Sequence, residues 1–244
     1  MEELIYGRQP VMEALKAGRT LNKIYLLAGA RGLEEIRTYA RQVKVPLQEL
    51  NRERLNNLAR GGNHQGVVAL AAPKEYQEPQ EILELARRRQ EQPLVVILDH
   101  LMDPGNVGTI IRSAEAAGAH GVIIPTRRGA SLTDAVARAS AGAWEYVPVA
   151  RVANIAGTIE TLKQEGLWIV GASPEAPTIY TEIDFKIPLA LVVGSEDRGL
   201  SRLVEERCDY LVKLPMRGRV ESLNVASAAT VMLYEILRQR GPKP

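Results

Sequence analysis

Two rhythms of apolar residues alternate along the chain. Apolar runs at 67–71, 94–98, 121–124, 168–171, 189–193 and 210–214, the last interrupted by Lys213, predict buried strands, each soon closed by Gly, Pro, Ser or Asp. Apolar positions three and four residues apart predict helices at 10–17, 33–43, 51–60, 80–90, 134–141 and 154–165, and another from the loop at 99–108 to about 117. The last helix has the clearest signature. Val225, Ala229, Met232, Leu233, Ile236 and Leu237 form one apolar face, and Ser222 or Asn224 can cap its N-terminus. A strand at 23–27 and an extended piece at 45–47 complete the pattern.

Helix and strand alternate throughout, which predicts an α/β fold in two parts. Residues 1–73 read as a compact α/β/α module with a mostly parallel sheet. Residues 74–92 read as a linker, because Pro73, Pro79 and Pro93 punctuate a highly charged helix. Residues 93–244 read as a doubly wound, mostly parallel sheet. In such sheets ligands collect beyond the carboxyl ends of the strands, where backbone N–H groups and helix N-termini converge. Three loops fall there: 99–108, 194–199 and 215–224. The first follows a strand and opens a helix, but it holds neither G-x-G-x-x-G nor G-K-[ST], so a dinucleotide fingerprint and a P-loop are excluded.

Composition removes further classes. With 45% hydrophobic and 25% charged residues in 244, the chain can bury a sizeable core. No apolar run approaches the roughly 18 residues of a membrane span, and the acidic start at Glu2 and Glu3 is unlike a signal peptide, so a cytoplasmic protein without a membrane partner is expected. The single cysteine, Cys208, excludes an intrachain disulfide and a Cys-clustered zinc site, and reads as a small buried hydrophobe. His64, His100 and His120 are scattered, so no metal is expected. Net charge is only +2, yet residues 1–73 carry 11 Lys and Arg against 7 Asp and Glu, while the remainder carry 20 against 22. That basic excess fits RNA or an ordinary solvated surface. The same two readings hold for Arg87, Arg88 and Arg89. The polar loop 61–66, with His64 and Gln65, is either a partner contact or a turn. Arg112 sits in an otherwise apolar helix, where a buried guanidinium needs an anion: Glu115 in an ion pair, or a ligand.

Taken together, Asn106-Val107-Gly108 with Arg112-Ser113-Ala114, then Gly194-Ser195-Glu196 with Gly199, then Leu214-Pro215-Met216 with Ser222-Leu223-Asn224-Val225 resemble the three ordered motifs of the SpoU, or TrmH-like, ribose 2′-O-methyltransferases. Ser140-Ala141-Gly142-Ala143 is also similar to that group, and the likeness spans nearly all of 93–240. The resemblance implies a SPOUT-type α/β knot, in which the C-terminal part threads a deep trefoil. It implies S-adenosylmethionine, giving S-adenosylhomocysteine, held by Gly194, Leu214 and Leu223 with Val193, Ser195 and Met216 nearby. It implies Arg112 as the catalytic arginine, Asn106 and Glu196 orienting it and the ribose, and Ser222 and Asn224 positioning the nucleotide or the sulfonium. A homodimer through the catalytic domain follows as well.

The stretches Tyr6-Gly7 through Glu13-Ala14-Leu15 and His64-Gln65-Gly66-Val67-Val68-Ala69 look like the small ribosomal-protein-like domain of the rRNA-modifying members, the RlmB group, which act on a guanosine of large-subunit rRNA. On that likeness His64, Gln65, Arg127 and Arg128, with Arg217 and Arg219, become candidate RNA contacts. A tRNA or resistance-type rRNA enzyme of the family, and a non-catalytic RNA-binding assembly factor, are the alternatives. The Asp197-Arg198 pair departs from the small residues frequent in the second motif and bears on local loop shape.

Overall fold

A computed structural model describes residues 2–241. The chain divides into two compact units, one made of the residues up to Glu75 together with Leu132–Tyr146, the other of Tyr76–Ser131 with the residues from Val147 onward.

The first unit contains β1 (Glu3–Tyr6), α1 (Arg8–Lys16), β2 (Leu21–Leu27), α2 (Glu34–Gln42), β3 (Leu47–Leu50), α3 (Arg52–Leu58) and β4 (Val67–Ala71). Its sheet has the order β1-β4-β2-β3. Alternate residues serve opposite faces, as the strand period requires. Ile24, Leu26, Val67, Ala69 and Ala71 pack with Val11, Leu15 and Ile36 of α1 and α2, while Tyr25, Leu27 and Val68 meet Leu55 and Leu58 of α3. Asn51 caps α3 by accepting from Arg54 N at 2.9 Å. The sheet is mixed, which corrects the expectation of a mostly parallel one: β4 runs antiparallel to both β1 and β2, and only β2 and β3 are parallel. Apolar alternation marks a strand but carries no direction, and β1 has only four residues.

Along the later chain lie α4 (Pro79–Arg89), β5 (Leu94–Leu98), α5 (Pro104–Ala116), β6 (Gly121–Pro125), α6 (Asp134–Ala139), β7 (Val149–Val152), α7 (Ile155–Gln164), β8 (Trp168–Ala172), β9 (Thr178–Ile179), β10 (Leu189–Val193), α8 (Arg202–Glu205), β11 (Tyr210–Lys213) and α9 (Val225–Arg240). All except α6 build the second unit. Its seven-stranded sheet has the order β7-β6-β5-β10-β8-β11-β9, and every pairing is parallel. β10 fills the slot between β5 and β8, two strands that precede it in the chain. One face is covered by α4, α7 and α8, through Ile82, Leu83, Ile159, Leu162 and Val204 against Val95, Ile97, Ala190 and Val192. The region between the two parts, expected as a linker, thus holds a core helix, whose apolar Ile82, Leu83 and Ala86 are all buried. α5 and α9 pack together, joined by a 2.7 Å bond between Ser113 Oγ and Thr230 Oγ1. No helix of the described residues is long and apolar enough to cross a membrane.

α6 and the turn after it belong to the first unit. The Arg138 guanidinium lies 4.4 Å from the Tyr6 ring centroid. Beyond it, Arg19 pairs with Glu145 at 2.6 Å and with Glu3, and donates to Ala72 O at 2.9 Å. Lys74 Nζ donates to Trp144 O, and the indole, itself 1% exposed, lies 5.0 Å from the Arg19 guanidinium. Burial lowers the Lys74 pKa from 10.5 to about 8, Glu145 opposing the shift. The unfolded chain therefore holds this proton across a window in which the folded chain has lost it, so stability rises with pH from about 8 to 10.5. Lys74→Met should flatten that rise, as chemical denaturation at the two ends of the window would reveal; a slope equal to the parent's would refute the assignment.

Candidate active site

The candidate site stands at the carboxyl ends of β5, β10 and β11, where three loops meet. Asp99, fully buried after β5, donates its N–H to Val193 O at 2.8 Å and accepts from Ser201 N at 2.6 Å, tying the first loop to the second. Asp103 caps α5 by accepting from Asn106 N at 2.7 Å, which places Asn106 in the first helical turn. From there the Asn106 amide donates to Glu196 Oε1 and accepts, on Oδ1, from Asn224 Nδ2 at 3.0 Å. Asn224 in turn caps α9, accepting from Ala226 N at 3.0 Å and Ser227 N at 3.2 Å. One hydrogen-bonded line of three side chains thus joins three motifs, its outermost residues in sequence, Asn106 and Asn224, lying 118 positions apart in the chain.

The second loop is a tight reversal. Ser195 and Gly199 exchange two backbone bonds of 2.9 Å, and Gly199 has φ +63°. A Cβ on Gly194 would overlap the backbone of Gly199 and Leu200, so only glycine permits this close approach. Behind the loop opens a cavity of about 670 Å³. Val193, Gly194, Ser195, Leu214, Met216 and Leu223, the six expected cofactor contacts, all line it. Glu196, Ser222 and Asn224 reach its rim, Ser222 as an exposed residue rather than the α9 cap. Ala172, Ser173, Pro174 and Glu175 also line the cavity, and sequence reading missed them. Their signal was their place just past the strand of 168–171, the same sheet end as the other loops.

Arg112 stands apart. It is exposed on α5, makes no hydrogen bond or ion pair with any described residue, and does not line the cavity behind the second loop. The expected need for a buried anionic partner is corrected: the buried positions of α5 are Val107, Gly108, Ile110, Ile111 and Ala114, and Arg112 lies on the opposite face. Arg128, with φ +56°, lines a second cavity of about 620 Å³ that shares residues 195–199 as a wall, while Arg127 is exposed beside it in sequence. Arg217 and Arg219 are exposed on the third loop.

In the first unit, His64 is turned inward. Its Nε2 bonds Asn56 Oδ1 at 2.8 Å, its Nδ1 accepts from Gly66 N at 2.9 Å, and burial with nearby Arg52 lowers its pKa. His64 therefore shapes its loop and has no ring nitrogen left for a ligand. Gln65 is exposed, but its Oε1 accepts from Arg8 N and its carbonyl from Arg8 Nε, both at 3.1 Å. Burial pushes the Cys208 thiol up to about 12, far from a thiolate nucleophile.

The sequence profile of the SpoU rRNA methylase family matches residues 93–234, which hold all three loops. The chain belongs to the SpoU family. A second profile, for the substrate-binding domain of RNA 2′-O ribose methyltransferases, matches residues 4–77. YacO of Bacillus subtilis (strain 168), named for the TrmH family of tRNA/rRNA methyltransferases, is 43% identical over 242 residues, covering 98% of this chain and 97% of its own. The crystal structure of the SpoU methyltransferase AviRb from Streptomyces viridochromogenes, in complex with AdoMet, superposes with a TM-score of 0.82 at 30% identity, over 98% of this chain and 90% of that one. An AdoMet-bound rRNA methyltransferase from Sinorhizobium meliloti gives 0.80 at 28%, over 97% and 87%. The SpoU chain described here is thus an RNA methyltransferase with a SPOUT-type catalytic unit and an N-terminal substrate-binding unit.

Asn224→Ala should cost about 1 kcal/mol of stability through loss of the α9 cap. Equilibrium denaturation would measure it, and an unchanged midpoint would mean that water caps the helix equally well.

Proposed function

We propose that this SpoU protein transfers a methyl group from S-adenosylmethionine to the ribose 2′-hydroxyl of a guanosine in large-subunit rRNA, acting as a cytoplasmic homodimer. The observation that carries the reading is the Glu196–Asn106–Asn224 line at the rim of the 670 Å³ cavity. The cavity suits the cofactor on its own geometry: it is a nucleoside-sized space beside the loop reversal that Gly194 permits, with Leu214, Met216 and Leu223 as apolar walls. Bound there, S-adenosylmethionine supplies an electrophilic methyl group. The rRNA assignment rests on the substrate-binding profile over residues 4–77 and on the S. meliloti rRNA enzyme, whose likeness covers 97% of the chain.

In this reading Val193, Gly194 and Ser195 hold the cofactor with Leu214, Met216 and Leu223. Asn106 fixes the Glu196 carboxylate toward the acceptor ribose, while Ser222 and Asn224 position the nucleotide. Arg112 stabilises the developing oxyanion and the adjacent phosphate as a permanent cation. Its guanidinium keeps its proton, so water or a phosphate oxygen receives the one leaving the hydroxyl. Because Arg112 is unpaired and outside the cavity of its own chain, it is available to the cavity of a second copy. α9 offers that copy an apolar surface, since Val231 and Tyr234 stand 39% and 50% exposed one turn apart. Arg127 and Arg128 contact the RNA backbone, whereas His64 and Gln65 set the shape of the loop that presents Asn63 to it.

Labelled methyl should pass to one guanosine of unmodified large-subunit rRNA. Arg112→Ala should lower the rate by roughly a hundredfold or more while leaving cofactor affinity unchanged. Label confined to tRNA would replace the rRNA assignment, and RNA binding without label would replace catalysis by an assembly role. Gly194→Ala should weaken S-adenosylmethionine binding at least about tenfold by calorimetry, because the loop must move to admit the methyl group. Retained affinity would place the cofactor elsewhere.

A further inference from the structure

The second cavity, of about 620 Å³, is lined by residues 100–103, Arg128, 195–199 and Ser201. It shares the Ser195–Gly199 loop with the cavity assigned to the cofactor, so a group bound in it lies across Glu196 from the methyl donor. Within it His100 is held in an unusual way. Its Nδ1 bonds Asp99 Oδ1 at 2.5 Å, and Asp99, 0% exposed, is itself anchored by Ser201 N and Val193 O. A carboxylate on Nδ1 fixes the ring and directs Nε2 away from it. Nε2 has no hydrogen-bond partner among the described residues, and the side chain is 40% exposed where it lines the cavity.

Two observations show that this placement is imposed rather than incidental. His100 has φ +60°, a left-handed backbone that costs a non-glycine residue energy unless its surroundings enforce it. Arg128, which lines the same cavity, has φ +56° as well. The charged groups around Nε2 can be sorted. Glu196 is engaged by the Asn106 amide, and Asp103 by the Asn106 N–H. Asp99 serves the far side of the ring, and Asp197 is exposed. Arg128 and Arg198 remain as cations in the lining. An imidazole and guanidinium groups converging on a nucleotide-sized space suit a phosphodiester.

We propose that this cavity seats the acceptor nucleotide, and that His100, with both ring N–H groups donating, Nδ1–H to Asp99 and Nε2–H to the ligand, acts with Arg128 to grip a phosphate flanking the acceptor ribose. The assignment rests on the methyl-transfer reading above and adds to it a positioning residue outside the three motifs. His100 grips the nucleotide in the ground state and the transition state alike, so it sets RNA affinity and leaves the chemical step untouched.

The test compares the parent, His100→Asn and Arg128→Asn, since asparagine tolerates the left-handed backbone at both positions. Each is assayed on the RNA fragment that the parent labels, and on the same fragment with each flanking phosphate replaced in turn by a neutral methylphosphonate. His100→Asn should raise KM for RNA about tenfold, the loss of one hydrogen bond to a charged group, with kcat and S-adenosylmethionine affinity unchanged. At one of the two phosphates the methylphosphonate should weaken the parent by at least that factor, since it removes the Arg128 contact as well, and on that substrate His100→Asn should add no further loss. An unchanged KM, additive losses at both phosphates, or an equal fall in cofactor affinity would each overturn the role of His100 while leaving methyl transfer intact. A parent that labels no RNA would overturn the functional reading itself, and this one with it.

Discussion

The parallel pairing of β10 with β5 on one side and β8 on the other is the constraint on which the rest of the second unit depends. Each of its five residues is matched on both sides, and all five are buried. This position ends β10 beside β5 and sends the loop 194–199 over the first turn of α5. Asp99, bonded to Val193 and Ser201, locks that arrangement from beneath, and the Asn106 amide locks it from above. A late strand inserted between earlier ones therefore brings together motifs that are remote in the chain.

Asparagine is suited to the centre of such a junction because one side-chain amide offers a donor and an acceptor in opposite directions. Asn106 spends the donor on Glu196 and the acceptor on Asn224, so a carboxylate in one loop and a helix cap in another are set by the same group. The consequence is a preorganised wall between two cavities that share the 195–199 loop. Arg112, by contrast, is exposed and carries no such restraint from the described residues.

The first unit relies on a different device. Arg19, with Glu3 and Glu145 against Trp144, ties the start of the chain to a segment from the middle of the catalytic sequence. Such buried pairs contribute little net stability against apolar replacements, but losing one partner leaves an uncompensated charge, which makes them effective at fixing where a segment docks.

What the sequence by itself determined was local. Runs of apolar residues placed β4, β5 and β10 at their observed bounds, Asn224 was one of two candidate caps for the last helix, and glycine at 194 and 199 bounded the second loop. Each of these depends on residues within a few positions, so pattern suffices. Tertiary structure alone decided whatever depends on a distant partner. It reversed β4 between β1 and β2, moved α6 into the first unit, drew α4 into the core of the second, turned His64 inward onto Asn56 and left Arg112 in solvent. It also set His100 against a buried Asp99, a pairing that adjacent letters in a sequence cannot distinguish from chance. Strand direction, the side to which a charged residue points and the partner a polar atom finds are set by packing across the whole chain, and periodicity carries no record of them.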